Sequence, residues 1–486
     1  MDGSTPRAER ITSAGTASAR NATPRSWRGP ATRATAIFLL GFACLVVTPP
    51  FQTPDSGNHL GRAFQISQGI LIAEQRGQQT GGLVPQALVA DIGQYGDLPF
   101  QPEHRISFQV WRDRLRASGH LTNDASVPLV FMNFPNTSRY LPVPYLPQAL
   151  GQLVARSLRA PDLIAIYLSG LFALISSSLL LLAAFRALDF SSRMTTICFL
   201  VAGMPMSAFL LGSISPDGQT LALALLAFAL AHRVQHKPDA RTLAALVVVS
   251  SLLGACKGLY CIVPLGLLPV ALSGLVRRGE RVAASLFAAC VAACAILPTL
   301  IWSLLTRGQY NALNPDPRID PSEQIHFLLT HPITGFVLLA RDFLSRAPNL
   351  VHSMIGVLGW LDTPLPHWLV ILYAGGMTLL VLFAAEGKGS STALSIRVWM
   401  AGSCLAFAFA MSLISYLTWT PVGANAVEGL QGRYYLPIMP LLLSAAPVMV
   451  SPVQRWVRAR EAAPILLWLI SSSTLMVNLL HRYWQR

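Results

Sequence analysis

Apolar and polar residues alternate along this chain in long blocks. Runs rich in Leu, Ala, Val, Ile and Phe cover Ala36–Val47, Leu163–Leu182, Ile197–Leu211, Leu221–Ala231, Leu243–Gly254 and Leu259–Leu275. Later runs cover Val282–Leu305, Leu369–Ala384, Val398–Leu417, Tyr435–Val450 and Ile465–Leu480. A membrane-crossing helix needs about 20 apolar residues, so the pattern predicts about eleven crossings. Two segments interrupt it, 51–160 and 306–367. Within the first, Leu60, Ala63, Phe64, Ile70 and Leu71 form an apolar stripe, and beyond Pro147 so do Leu150, Leu153, Val154 and Leu158, opposite Arg156 and Arg159. Both stripes predict helices lying in the membrane interface. The stretch from Gln78 to Asn136 is mixed, and no element is predicted there.

Composition agrees with the blocks. The chain has 486 residues, 53% hydrophobic and 12% charged, against roughly 25% charged in soluble domains. The class expected is an all-α polytopic membrane protein. The formal net charge of +14 could signal nucleic acid, but the cations fall in short loops between apolar runs. With a cytoplasmic N-terminus, the inward loops carry Arg186/Arg193, Arg233/Lys237/Arg241, Arg277/Arg278/Arg281, Lys388/Arg397 and Arg455/Arg458/Arg460. That distribution obeys the positive-inside rule and puts 51–160 and 306–367 on the extracytoplasmic side of a bacterial inner membrane. Residues 1–33 are rich in Ser, Thr, Ala and Arg without apolar periodicity, and read as a disordered basic tail. All seven Cys lie in or beside apolar runs and lack zinc-site spacing, so they read as small buried residues.

Candidate chemistry gathers where apolar runs meet the outer segments. Directly after the first run comes Pro49-Pro50-Phe51-Gln52-Thr53-Pro54-Asp55-Ser56-Gly57-Asn58-His59-Leu60-Gly61-Arg62. Thr53 as N-cap and Pro54 at the first helical position would place Asp55 in the first turn. Asp55, His59 and Arg62 would then share one face at i, i+4 and i+7. In Ser213-Ile214-Ser215-Pro216-Asp217, a Ser N-cap and an N1 Pro account for the pattern structurally, while an acid facing the same cavity as Asp55 accounts for it functionally. Lys257 and Tyr260 interrupt two short apolar runs, as a snorkelling cation or as a substrate contact. Gln431-Gly432-Arg433-Tyr434 opens the tenth run. Its tyrosines suit an interface belt, whereas Arg433 is placed to hold a phosphate through two N–H groups. Trp360 and Asp362 read as a belt tryptophan with a capping acid. The chain holds no Gly-x-x-x-x-Gly-Lys, His-Glu-x-x-His or Gly-x-Ser-x-Gly motif, leaving nucleotide-driven transport, zinc proteolysis and serine hydrolysis without support.

Five of these stretches together resemble the domain-of-unknown-function 2142 family of bacterial membrane proteins. They are Pro50–Asp55 with His59 and Arg62, Pro144-Tyr145-Leu146-Pro147-Gln148, Ser213–Asp217, Gly356–Asp362 and Gln431–Tyr434. That family is similar to polytopic glycosyltransferases of the GT-C fold, which use lipid-phosphate sugars and act at the outer face. The resemblance implies Asp55 as the catalytic acid, acting as general base. Position at the outer ends of the apolar runs adds Asp217 as a second catalytic acid and gives His59, Arg62, Tyr145, Lys257, Tyr260, Gln431, Arg433 and Tyr434 as substrate contacts. The partners implied are a polyprenyl-phosphate-linked sugar, a cell-envelope acceptor and the bilayer, with no cofactor, no metal ligands and no nucleic acid. Where the family usually carries Glu after the Asp, this chain has Ser56. A transporter or flippase of lipid-linked sugar, and a non-catalytic envelope-assembly protein, are the alternatives.

Overall fold

The computed structural model describes residues 29–120, 127–189, 191–308, 316–383, 392–448 and 457–485. The expected tail up to residue 28, and the inward-loop cations Lys388 and Arg455, lie outside the described residues. The first helix, α1 (Pro30–Val47), starts six residues before its apolar run, because Pro30 at the first position pre-sets the helical φ. Then follow α2 (Ser56–Ser67), strands β1 (Glu74–Arg76) and β2 (Gln79–Pro85), α3 (Gln86–Gln94), α4 (Phe108–Ala117), β3 (Leu129–Asn133), the short α5 (Pro135–Ser138) and α6 (Leu146–Ser157). The bundle continues with α7 (Asp162–Ala187), α8 (Ser192–Ala202), α9 (Pro205–Leu211), α10 (Asp217–His236), α11 (Ala240–Gly254), α12 (Ile262–Arg277) and α13 (Arg281–Leu305). After α14 (Pro321–Thr330) and α15 (Pro332–Gly356) come a two-stranded ribbon, β4 (Val357–Leu358) with β5 (Thr363–Pro364), then α16 (His367–Leu382), α17 (Leu394–Thr418), α18 (Met439–Ala445) and α19 (Val457–Tyr483).

The protein is mostly helical, as expected of a polytopic membrane protein. Among the described residues, six helical stretches are long and apolar enough to cross a membrane: α1, α7, Gly258–Arg277, α13, α17 and Ala462–Tyr483. Two bent pairs, α8/α9 at 67° and α14/α15 at 110°, raise the count to 8. The count is below the eleven that apolar runs predict, for reasons visible in the elements. Gly203-Met204-Pro205 breaks the run at Ile197–Leu211 in two. The run at Tyr435–Val450 opens in a 3-10 turn, Gly432–Ile438, and continues as the seven-residue α18. Helix α10 carries Asp217, His232 and Arg233, but it is enclosed by α7, α8, α9, α11 and α12 and meets protein on every side. Its Leu-Ala-Leu-Ala-Leu-Leu-Ala sequence lets neighbours approach closely all round. The same device acts at Gly212, where a Cβ would collide with the backbone of Gly41 in α1.

The described residues of 51–160 form a cap over one end of the bundle. The stretch without a predicted element supplies β2 and β3 of an antiparallel sheet in the order β1-β2-β3, with Leu83 opposite Phe131 and Gly81 opposite Asn133. A Cβ at Gly81 would strike the Met132 carbonyl, so glycine is required for this pairing. Helix α6 is present, with the polarity expected of an interfacial helix. Gln148, Gly151, Gln152 and Arg156 face protein, while Leu146, Leu150, Leu153 and Leu158 point outward. Leucines outward and glutamines inward suit a helix whose free side meets lipid.

The C-terminus fastens this cap. Ile106 pairs with the backbone of Tyr483 and Gln485, and the Trp484 indole donates to the Val47 carbonyl at 2.6 Å. Arg482 is buried with Asp362 at 3.0 Å and also donates to the carbonyls of Leu98 and His104. Asp362 further accepts from the backbone N–H groups of Phe100 and Trp360. Asp362→Ala would leave the guanidinium buried without its counter-charge, a defect that typically costs about 3–5 kcal/mol. Thermal unfolding of the detergent-solubilised variant should show a loss of that order. A loss below about 1 kcal/mol, the size of an exposed pair, would mean the cap does not depend on this lock.

Candidate functional site

Asp55 begins with its backbone. Helix α2 starts at Ser56 rather than at Pro54, and Asp55 precedes it in the left-handed region with φ of 59°. The expected capping by Thr53 does not occur. Aspartate tolerates this conformation better than most residues, and its side chain makes no capping bond. The carboxylate is therefore free to turn inward. Phe51, four residues earlier, is also left-handed with φ of 65°, which is costly for a bulky side chain. Packing holds it there: Trp360 donates its indole N–H to the Phe51 carbonyl at 2.9 Å. Trp360 is thus a tie between two sequence motifs rather than a belt residue.

Four charged side chains meet beside this turn. Asp55 Oδ1 accepts from Asn136 Nδ2 at 2.8 Å, and Asn136 is held in turn by Asn58 at 2.7 Å. Asp55 Oδ2 lies 3.5 Å from the Arg433 guanidinium. On the other side of that guanidinium, Asp217 Oδ2 stands at 3.8 Å, while Asp217 Oδ1 accepts from Lys257 Nζ at 2.6 Å. Asp217 occupies the first position of α10, and its N–H donates to Ser215 Oγ at 3.2 Å. The expected Ser215 cap with Pro216 at the first helical position is shifted by one residue: Pro216 stands at the N-cap and α10 begins at Asp217, while Ser215 steadies the turn before it and the Asp217 carboxylate joins the cluster. Lys257 sits in the break between α11 and a 3-10 turn, Gly258–Cys261, with its ammonium over the rings of Tyr140 and Tyr434 at 5.2 and 5.5 Å. It is a buried, paired cation and not a snorkelling one.

Arg433 is the least satisfied member. Its side chain is 4% exposed, yet Nε and Nη1 have no hydrogen-bond partner among the described residues. Its guanidinium lies over the Tyr434 ring at 5.4 Å. His59 reaches the edge of the cluster, its Nδ1 2.8 Å from the Tyr145 hydroxyl. Burial draws the His59 pKa down to about 4, against weaker upward pulls from Asp55 and Asp217, so the ring is neutral at pH 7. Tyr260 donates to the Tyr434 carbonyl at 3.1 Å and props the turn that carries Arg433. Gln431, partly exposed, precedes that turn and accepts the Tyr434 N–H through its backbone.

Arg62 does not join. Its guanidinium donates to Gln65 and to the carbonyls of Leu71 and Tyr140, well inside the cap. Seven residues along a helix is about 10 Å, too far to serve one small site. Conversely, Asn58, Asn136 and Tyr140 belong to the cluster and are not among the residues the sequence points to. Their one signal is position: Asn58 follows Asp55 by three, and Tyr140 opens the Pro-rich motif. Among the described residues no group of three or more His, Cys, Asp or Glu is arranged to hold a metal ion.

The sequence profile of a family described as "Predicted membrane protein (DUF2142)" matches residues 38–442. The chain belongs to the DUF2142 family. No curated protein matches it, and no solved structure does. The matched range takes in Asp55, Asp217, Lys257 and Arg433, so the cluster lies wholly within the DUF2142 region. At the position where the resemblance implies glutamate, Ser56 is buried and its Oγ has no partner among the described residues.

A buried guanidinium, a partly exposed Asp55 and the largely enclosed Asp217–Lys257 pair, arranged in alternation, are mutually dependent. A double-mutant cycle on Asp217→Asn and Lys257→Met, read by unfolding in micelles, should give a coupling of about 0.5–3 kcal/mol, the double variant being less damaged than the sum of the singles. Additive effects would show that the contact at 2.6 Å carries no energy.

Proposed function

We propose that this protein is an extracytoplasmic-face glycosyltransferase that moves a sugar from a polyprenyl-phosphate carrier to a hydroxyl of a cell-envelope acceptor. The observation that carries the reading is Arg433, a buried guanidinium between two carboxylates whose Nε and Nη1 have no hydrogen-bond partner among the described residues. Unpaired buried donors are expensive, and a phosphate, with its pair of acceptor oxygens, is one of the anions that a guanidinium fork grips at two points. Lipid access also fits. Helix α13 turns Leu297, Leu300, Ile301, Leu304 and Leu305 outward, and its Trp302 donates to the Arg139 carbonyl beside Tyr140.

In this mechanism Asp55 takes the acceptor hydroxyl proton as that oxygen attacks the anomeric carbon. The bond from that carbon to the phosphate oxygen breaks with inversion, and the electron pair leaves with the polyprenyl phosphate. Arg433 and Lys257 meet the charge developing there. Asp217 holds Lys257 in place through their shared contact. His59, neutral, and Tyr145 line the edge, and Tyr434 orients both cations. A transporter of the same lipid is the second reading, favoured by one observation: the cluster sits at helix breaks, as intramembrane transport sites do.

The proposed topology has eleven crossings, with the N-terminus cytoplasmic in a bacterial inner membrane. It draws on the ends that meet. Arg277 donates to the Gln235 carbonyl, Arg278 to that of Pro238, and Arg193 to that of Ala446, gathering the basic loops at the end away from the cluster. Cysteines at Asp97 and Asp316 should react with an impermeant thiol reagent added outside intact cells, and a cysteine at Arg233 only after permeabilisation. Labelling of all three from one side would end this topology.

Removing a general base typically costs about 10²–10⁴-fold in rate. Asp55→Asn preserves shape and the left-handed turn, so it should lose transfer by that factor while the protein still inserts and unfolds normally. Arg433→Lys keeps the charge but loses the two-point grip, and should lower turnover with little change in folding. Undiminished transfer by both well-folded variants would remove the enzymatic reading.

A further inference from the structure

Asp55 faces a second space besides the charged cluster. A cleft of about 170 Å³ opens beside it, lined by Phe51, Asp55, Asn58, Ile92, Tyr95, Met132 and Trp360 among others. Asp217, Lys257 and Arg433 take no part in its walls. Asp55 is therefore the one charged side chain that serves both the cluster and the cleft. The remaining walls are apolar or aromatic, apart from the Asn58 side chain, which already fixes Asn136 and through it Asp55.

We infer that this cleft is a saccharide site, holding one sugar ring of the acceptor with a hydroxyl on the Asp55 carboxylate. The inference rests on the transferase reading for the fate of that hydroxyl, but the binding itself does not need it. Size is the first argument. The cleft holds several waters by the space a water needs, which is room for one sugar ring at its mouth. Lining is the second. A pyranose offers an apolar face and a rim of hydroxyls, and the cleft offers aromatic walls with one acceptor-only carboxylate and one amide at one edge. Neither a phosphate nor a cation suits it: the walls carry no positive group to hold the first and a single carboxylate for the second.

Rigidity is the third argument. Phe51 sits at a positive φ, held by the indole N–H of Trp360, and Leu361 beside it has φ of 67°. Gln52 bonds the Tyr95 carbonyl at 3.3 Å. Two walls from distant parts of the chain are thereby fixed to one another with strained backbone on both, as happens where a ligand's shape must be met in advance.

The test uses the full chain in lipid nanodiscs and a set of methyl hexopyranosides, the gluco, galacto, manno and N-acetylglucosamine forms. Saturation-transfer NMR should show at least one of them bound at millimolar concentration. Ile92→Trp, which fills the cleft from one wall, should weaken that binding at least tenfold, and Ile92→Val should retain it. Met132→Trp fills the cleft from another of its lining positions and serves if Ile92→Trp does not fold. No bound glycoside with the wild-type protein, or binding that survives a folded cleft-filling variant, overturns the inference. Binding lost on filling, in a protein that transfers no sugar, would uphold the cleft and sink the transferase. Transfer whose acceptor KM ignores the filled cleft would do the reverse.

Discussion

A guanidinium held between two carboxylates without a full set of hydrogen bonds is the constraint on which the site depends. Arg433 comes from a 3-10 turn late in the chain, Asp55 from the turn after the first helix, and Asp217 from the start of the enclosed helix α10. Arg433, 4% exposed, would be costly without its acids. Their alternation, continued by Lys257 on Asp217, makes three chain segments and a helix break stable only in each other's company. The distances divide the work. Lys257 is bonded tightly to Asp217, whereas Arg433 stands 3.5 and 3.8 Å from its two acids. The first pair builds the site. The second contact is loose enough for an incoming anion to compete.

The cap is what keeps Asp55 turned inward. A free chain would not hold Phe51 and Asp55 at positive φ, and the strain is offset by bonds from far along the sequence. The Trp360 indole meets the Phe51 carbonyl, and Asp362 beside it anchors Arg482 and the backbone of Phe100. A motif before α16 and the end of α19 thus fix the geometry of a motif after α1. Outside this cap the leucines of α6 face away from the protein while its glutamines are buried, so the surface over the site is one a membrane interface would accept.

Much of this was legible in the sequence because it depends on contrast. Charged residues at the edges of apolar runs stand out, and Asp55, Asp217, Lys257 and Arg433 converge as their positions suggest. Asn58 and Asn136 do not stand out, being neutral polar residues in polar stretches, though they hold the Asp55 carboxylate. The sheet was hidden for a different reason. Strands β2 and β3 are separated by more than forty residues, and non-local pairing leaves no local periodicity to read. Thr53-Pro54-Asp55 has the composition of a helix start, and the helix begins one residue beyond it, which changes the direction of the carboxylate. Arg62 has the right angular position on its helix but the wrong height, and nearby carbonyls take its donors. The crossings are less regular than the apolar runs, because Gly203-Met204-Pro205 splits one run, a 3-10 turn opens another, and the enclosed α10 carries charged residues.

The most direct measurement is an experimental structure of the protein in nanodiscs with a polyprenyl phosphate bound. The account predicts the phosphate within hydrogen-bonding distance of Arg433 Nε and Nη1, near Lys257, with Asp55 left facing the aromatic cleft. A phosphate seated away from Arg433, with the guanidinium still between Asp55 and Asp217, would contradict it.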